Sequence, residues 1–325
     1  KKDKVKATDY LYDLQIKNNY IQKTQVEKNL YWQAKFSDNF LEITVNLSKP
    51  EKDNKDIAKL LKVEKSGYPS CVLCKENLGY AGHAGHPARQ NIRIIPLRLD
   101  GEPWFLQYSP YVYYDRHCIV IDEHHEPMTI SSRILRKLIA FVDQFPHFFI
   151  GSNSDLPIVG GSILNHEHFQ GGAHRMPLMY AKTRSKVPVK RLFDVHVDIL
   201  EWYNSAVLIR SRNRKNLLVA LDKLIKQWRV YTNESLDIMP STGDIQHSTV
   251  TPIVEKKNGV YHAYIILRNN RTSEAYPDGI FHAHKIYHPI KKEGIGLIEA
   301  MGLFILPARL KRQIASINTC LIEKL

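Results

Sequence analysis

Residues 131–145, SSRILRKLIAFVDQF, set Ile134, Leu135, Leu138, Phe141, Val142 and Phe145 three or four positions apart. That spacing predicts an amphipathic helix with one buried stripe. Thr129 or Ser131 can cap its start, and Pro146 ends it. Before it, CIVI (118–121) reads as a buried strand; after it, HFFIGSN returns as another. The layout recurs in NLLVALDKLIKQW (216–228), where Leu217, Leu218, Leu221, Leu224, Ile225 and Trp228 keep the same steps at an offset of 83 residues. The same offset carries Gly160 to Gly243, and His166 and His168 to Thr249 and Thr251. NFLEITVNL (39–47) and GVYHAYIILRNN (259–270) read as further strands. The expected fold class is α+β: two related halves with antiparallel sheets packed against helices, the second half without paired histidines. Their expected limits are 1–187 and 188–325, divided at the basic linker around 181–191 with Pro188.

The stretch GGSILNHEHFQGG (160–172) alternates in a way that matters chemically. Residues two apart share a strand face, so an extended chain puts His166, His168 and Gln170 on one side. Asn165, Glu167 and Phe169 go to the other. A row of imidazoles beside glycine-rich backbone suits a metal or an anionic group such as phosphate. A neutral imidazole can attack phosphorus and split a difficult transfer into two steps. Amides near Gly160, Gly161 and Ser162 can approach phosphate oxygens closely. The Ser162 hydroxyl and the Gln170 amide can donate to them. A phosphate loop of the G-x-x-x-x-G-K-[ST] type is absent, which leaves a P-loop kinase unsupported.

Composition narrows the partners. The 325 residues suit about two domains, and the 43% hydrophobic content is ordinary for a chain with a packed core. The run of roughly 20 apolar residues that a membrane helix needs is not found, and no secretory leader is visible. Four cysteines, Cys71, Cys74, Cys118 and Cys320, are too few for a disulfide scaffold and suit a reducing, cytoplasmic setting. The chain opens KKDKVK without Met, which suggests a missing upstream piece. A net charge of +13 and a pI near 9.4 point to an anionic partner. The basic clusters at 181–191 and 210–215 lack the aromatic interleaving of an RNA-recognition motif, so a nucleotide or sugar phosphate is preferred to nucleic acid.

Cys71 and Cys74 form C-x-x-C in YPSCVLCKEN. This half-site suits zinc, and the glycine-rich sequence that follows is a poor helix, against a redox role. His83 and His86 would complete a local site.

NHEHFQ resembles the H-x-H-x-Q signature of galactose-1-phosphate uridylyltransferases, a branch of the histidine-triad superfamily. The neighbourhood resembles their Gram-positive, second class. The resemblance is carried by GYPSCVLCKENLGYAGHAGHPARQNIRIIP, QYSPYVYYDRHCIVI, FPHFFIGSNSDLPIVGGSI, LRNNRT and IKKEGIGLIEAMGLFILPARLK, roughly residues 67–311. It implies two histidine-triad-like halves and a chain shorter than its relatives. It implies that His168 is the nucleophile and that Gln170 replaces the third histidine of hydrolytic relatives. It implies a structural zinc on Cys71, Cys74, His125 and His166, with His124 the adjacent alternative to His125. Arg89, Asn91 and Arg93 are assigned to the nucleotide diphosphate and Asn153 to the substrate phosphate. Lys292 and Glu299, with the second half, are assigned to the hexose phosphate. His282, His284 and His288 are read as surface or sugar-phosphate contacts rather than a second metal site. The implied reaction is uridylyl transfer from UDP-glucose to galactose 1-phosphate, giving UDP-galactose and glucose 1-phosphate. Nucleic acid and membrane are not expected partners, and a homodimer is left open. The rivals are a nucleotide hydrolase or phosphorylase with the same nucleophile, and a non-catalytic nucleotide- or RNA-binding protein.

Overall fold

The computed structural model describes residues 3–47, 67–83, 85–160, 163–291 and 294–323. An N-terminal helix α1 (Lys4–Lys17) and a short turn of helix α2 (Lys23–Val26) precede the hairpin β1 (Leu30–Phe36) and β2 (Asn39–Asn46). The first half then runs β3 (Ile95–Leu99), β4 (Glu102–Tyr108), β5 (Cys118–Asp122), α3 (Ser132–Gln144), β6 (Phe149–Gly151) and β7 (His168–Gly172). The second runs β8 (Thr183–Val187), β9 (His196–Leu200), β10 (Ala206–Ser211) and α4 (Arg214–Trp228). It continues through the small hairpin β11 (Ser241–Thr242) and β12 (Ile245–Gln246) to β13 (Ser248–Lys257) and β14 (Val260–Asn269). A single turn α5 (Leu297–Ala300), strand β15 (Leu303–Pro307) and helix α6 (Arg309–Glu323) close the described chain. The architecture is α+β.

Among the described residues, ten strands make one sheet, ordered β3-β4-β5-β7-β6-β13-β14-β10-β9-β8. The order repeats: three strands in sequence, a helix, then two strands of which the later lies inside. β6 and β13 join the halves antiparallel, with Gly151 opposite Ile253. β8 pairs with β9, so the basic stretch 183–187 is a strand of the second half rather than a linker. β15 runs parallel to β2 in a separate three-stranded sheet.

The two amphipathic helices lie on the same side of this sheet. Ile134, Leu138 and Phe141 of α3, with Leu217, Leu221 and Ile225 of α4, share one core with Val120, Phe169, Val254 and Ile265. Asn213 caps α4 by accepting from the Lys215 and Asn216 amides at 3.0 and 3.1 Å. Ser131 stands at the cap position of α3 without a side-chain bond. The other sheet face carries a second core, in which Phe149, Ile253, Tyr264 and Ile266 pack under Leu297, Ile298, Met301 and Leu303. Among the described residues no helix is long and apolar enough to cross a membrane.

Between α3 and the sheet lies a buried charge cluster. Lys137 has no solvent exposure, and its Nζ is 2.6 Å from Glu167 Oε2, 2.7 Å from Glu102 Oε2 and 3.5 Å from Asp122 Oδ2. It also sits 4.6 Å from the centre of the Trp104 ring, which stacks on Phe169. Arg133 grips Glu102 with two bonds, at 2.9 and 2.6 Å, and so holds that carboxyl down at a pKa of about 2. Removing one partner of a buried ion pair strands the others and typically costs about 3–5 kcal/mol. Lys137→Met is therefore expected to lose about that much in urea unfolding. The exposed pair Arg136–Asp100, 2.7 Å apart, should lose under about 1 kcal/mol on Arg136→Met. Equal losses in the two variants would contradict the clamp.

Candidate functional site

β7 begins at His168, not before it: residues 164–167 approach as a bend, and only His168–Gly172 pairs in the sheet. This corrects the expectation that His166, His168 and Gln170 share a strand. The alternation of faces survives. Glu167 and Phe169 turn to the helix layer, into the Lys137 cluster and the stack on Trp104. His168 and Gln170 take the other face. The glycines after them answer a packing demand, since a Cβ on Gly171 would come within 2.4 Å of the Phe149 carbonyl oxygen.

Cys71, Cys74, His125 and His166 converge, with their donor atoms all within 4.8 Å of one another. Cys71 Sγ lies 3.2 Å from His166 Nδ1, Cys74 Sγ 3.1 Å from His125 Nδ1, and the two sulfurs are 3.5 Å apart. Burial opposes ionisation of Cys71, but its contact with the His166 ring and the hydrogen bond from the Leu73 amide outweigh it and leave this thiol below its ordinary value. Burial and the neighbouring Cys71 push the Cys74 thiol up. His166 Nε2 donates to the Asp122 carbonyl at 2.9 Å, which turns Nδ1 toward the cluster. Two thiols and two imidazoles are the donor set of a soft, four-coordinate cation.

The rival local site does not assemble. His83 and His86 bond each other's backbone, and His86 Nε2 is 2.6 Å from Asn77 Oδ1. Asn77 Nδ2 then donates to the carbonyls of Cys71 and Cys74, both at 2.8 Å. His86 thus supports the C-x-x-C turn from behind. His124 turns to Asp122, its Nδ1 3.4 Å from Oδ1.

His168 Nδ1 donates to the His166 carbonyl at 2.8 Å, which fixes the tautomer and leaves the Nε2 lone pair for chemistry. Burial pushes its pKa down to about 4, so the ring is neutral at neutral pH. Gln170 accepts at Oε1 from His117 Nε2, 3.2 Å away. His117, which sequence reasoning missed, is equally buried and also held down to about 4.

The other expected contacts scatter. Arg89 and Asn91 line a cavity of about 270 Å³ with Tyr20 and Tyr111. Asn91 Nδ2 is engaged by the Asn18 carbonyl at 2.7 Å. Arg93 turns away to the Gln90 and Ile92 carbonyls. Asn153 Oδ1 accepts from the Leu297 amide at 2.8 Å and so ties the C-terminal segment to the His168 face. Glu299 accepts from the Gly296 amide at 3.2 Å and pairs with Lys291. Gly160 is enclosed, since a Cβ there would meet the Ser154 and Leu156 carbonyl oxygens at 2.6 Å. Gly161, Ser162 and Lys292 lie outside the described residues. His282 and His288 both point at the Ala283 carbonyl, and His284 stacks on Tyr276. Among the described residues only the Cys71 cluster gathers metal donors.

The second half keeps more than expected. Thr249 and Thr251 fall on β13, the counterpart of β6, not of the histidine strand. The counterpart of β7 is β14. Gly151 pairs with both Gln170 and Ile253, and Ile253 pairs with Tyr264. Two-fold symmetry about the Gly151–Ile253 pair carries Gln170 to Tyr264 and His168 to His262. His262 Nδ1 also faces the carbonyl two residues earlier, Val260, at 3.3 Å. The glycine loop has no counterpart there, because β13 and β14 are joined by Asn258 and Gly259 alone.

Three comparisons bear on this site. Residues 1–127 match the family profile described as galactose-1-phosphate uridyl transferase, N-terminal domain, and residues 141–325 match the C-terminal domain of that family. The galactose-1-phosphate uridylyltransferase of Caldanaerobacter subterraneus subsp. tengcongensis is 49% identical over 98% of this chain and 62% of that protein. The enzyme of the same name from Clostridium acetobutylicum is 48% identical over 98% and 64%, and that of Bacillus subtilis 48% over 94% and 60%. The chain thus spans about three fifths of the length of these relatives. In fold it resembles yeast Ap4A phosphorylase Apa2, with a TM-score of 0.52 at 8% identity over 100% of this chain and 93% of that one.

The two buried imidazoles set a pH dependence. Each has a folded pKa below the ordinary value of about 6.5, so the unfolded chain binds more protons in between. Their contribution to stability is full above about 6.5 and falls as the pH drops toward about 4. Proton NMR of the His117 and His168 rings should show neutral imidazoles down to about pH 5. Midpoints near 6.5 would contradict this burial.

Proposed function

The chain belongs to the galactose-1-phosphate uridyl transferase family, and we propose that it moves a uridylyl group from UDP-glucose to galactose 1-phosphate through His168. The observation that carries the reading is the His168 ring itself, buried, neutral, and tied at Nδ1 to the His166 carbonyl with Nε2 left over. In the first step Nε2 bonds to the α-phosphorus of UDP-glucose. The bridging phosphorus–oxygen bond breaks, and its electron pair leaves with glucose 1-phosphate. In the second step a phosphate oxygen of galactose 1-phosphate attacks the same phosphorus, and the bond to Nε2 breaks to release UDP-galactose. Nδ1 keeps its proton on the His166 carbonyl throughout, which spreads the positive charge that the ring acquires as a phosphoramidate. The Gln170 amide, Ser162 and the backbone of Gly160 and Gly161 are proposed to meet the phosphate charge.

The remaining assignments belong to the same proposal. Arg89, with Asn91 and Arg93 nearby, takes the nucleotide diphosphate. Asn153 serves the substrate phosphate, in part by anchoring the segment that begins at Leu297, and Lys292 and Glu299 serve the hexose phosphate. The first half carries the nucleophile and metal cluster, and the second contributes to the hexose phosphate. A cytoplasmic setting, a homodimer and the absence of a nucleic-acid partner complete it. The mass of the chain in solution, with and without added RNA, reads the last two.

The metal proposed for Cys71, Cys74, His125 and His166 is zinc, in a structural role. Zinc–sulfur bonds of about 2.3 Å and zinc–nitrogen bonds of about 2.0–2.1 Å set the donors of a tetrahedral site roughly 3.3–3.8 Å apart. Four of the six donor spacings here run from 3.1 to 3.7 Å, and all six lie within 4.8 Å. When bound, zinc supplies folding energy and pins the bend that leads into His168. Elemental analysis should find about one zinc per chain. Cys71→Ser and His125→Ala should lose it, and His83→Ala and His124→Ala should keep it. Loss in His83→Ala with retention in His125→Ala would move the site.

A half-reaction tests the chemistry. Labelled glucose 1-phosphate should exchange into UDP-glucose with no galactose 1-phosphate present. His168→Gly should abolish exchange, and Gln170→Ala should slow it roughly 10²–10³-fold, the usual loss for one such donor. Release of free uridine monophosphate, without exchange, would favour a hydrolase instead.

A further inference from the structure

His117 lies on the sheet face of Gln170. Ile119 pairs with Gln170 between β5 and β7, so His117, two residues earlier, stands diagonally across, within reach of a long side chain. Its backbone is fixed at both ends: its carbonyl accepts from the Ser109 amide at 2.9 Å, and its amide donates to the Tyr114 carbonyl at 3.2 Å. Its ring is stacked 5.2 Å from Tyr113 and leans 4.6 Å from Tyr114. Gly172 makes room for that second tyrosine, since a Cβ there would come within 2.8 Å of its Cε2. The imidazole therefore has one place to be, with Nε2 on Gln170 Oε1 at 3.2 Å.

Which nitrogen holds the proton follows from the other side of the ring. Nδ1 is buried with no hydrogen-bond partner. A proton there would orphan a donor in the interior, whereas a bare lone pair there costs less. The proton sits on Nε2 and is donated to Gln170 Oε1. The two ends of a glutamine amide are nearly the same size, so only a hydrogen bond decides which way it faces. We propose that His117 is a positioning residue that sets the orientation of the Gln170 amide, so that its NH₂ rather than its oxygen faces the phosphate transferred at His168. Reversed, the amide would turn a lone pair toward an anionic phosphate. The proposal rests on the reading of Gln170 as a phosphate donor.

The exchange of labelled glucose 1-phosphate into UDP-glucose reads both. His117→Leu keeps the volume and removes the donor. It is expected to slow exchange roughly tenfold to a hundredfold, with little change in KM, because the lost contact acts in the transition state. His117→Gln, whose amide can donate to the same oxygen, should recover most of the rate. In a Gln170→Ala background, His117→Leu should cost nothing more. A structural role would instead lower the rate by the same factor in both backgrounds, and that outcome overturns the proposal. So does wild-type exchange in His117→Leu. If Gln170→Ala alone exchanges at the full rate, the role read for Gln170 has failed and His117 has nothing to orient. Metal content and the unfolding midpoint, measured on each variant, separate a misfolded chain from a mis-set amide.

Discussion

Lys137 places an ammonium, wholly shut from solvent, among three carboxylates brought from two strands and the bend before β7. Desolvating so many charges is costly unless each is met, so the strands and α3 have little freedom to shift relative to one another. Two of those carboxylates belong to residues that frame the site. Asp122 offers its backbone oxygen to His166 Nε2, and Glu167 stands in the chain between His166 and His168. The alternation of a strand does the rest. With Glu167 and Phe169 drawn to the helix side, His168 and Gln170 are turned to the other face.

That division explains why one imidazole suits a metal and the next suits phosphorus. His166 gives its Nε2 proton to a carbonyl and turns Nδ1 to the sulfur cluster. His168 gives its Nδ1 proton to the carbonyl of His166 and keeps Nε2. The two rings are thus fixed in opposite tautomers by backbone oxygens. His168, the proposed nucleophile, inherits its orientation from the residue that the cluster holds, and its burial keeps the ring neutral at neutral pH.

Much of this was legible in the sequence, and the failures have physical causes. The stripes of Ile134, Leu138 and Phe141, and of Leu217, Leu221 and Ile225, named both helices because each packs one face on the sheet. The N-terminal helix escaped notice because it buries Thr8 and Gln15, polar residues that a periodicity reading counts as outside. Thr8 satisfies itself on the Lys4 and Val5 carbonyls, while Gln15 bridges to the backbone of Asn91 and Arg93. The repeat was seen but misregistered. A three-residue β6 followed by a long loop corresponds to a ten-residue β13 followed by a two-residue turn, so an offset that aligns the helices misses His262. The C-x-x-C half-site was visible, but nothing in its spacing could choose His125 and His166 over His83 and His86. The resemblance chose them, and the fold brings them together. Arg93 bonds the Gln90 and Ile92 carbonyls, a placement that its residue type does not disclose.

The proposal that His168, and not its neighbour, carries the transferred group has a direct test. The chain is incubated with UDP-glucose and no acceptor, digested above neutral pH to spare an acid-labile bond, and the added mass is located by tandem mass spectrometry. One uridylyl group on His168 is the expected product. A uridylyl group on His166, or none on either histidine while turnover proceeds, would contradict the proposal.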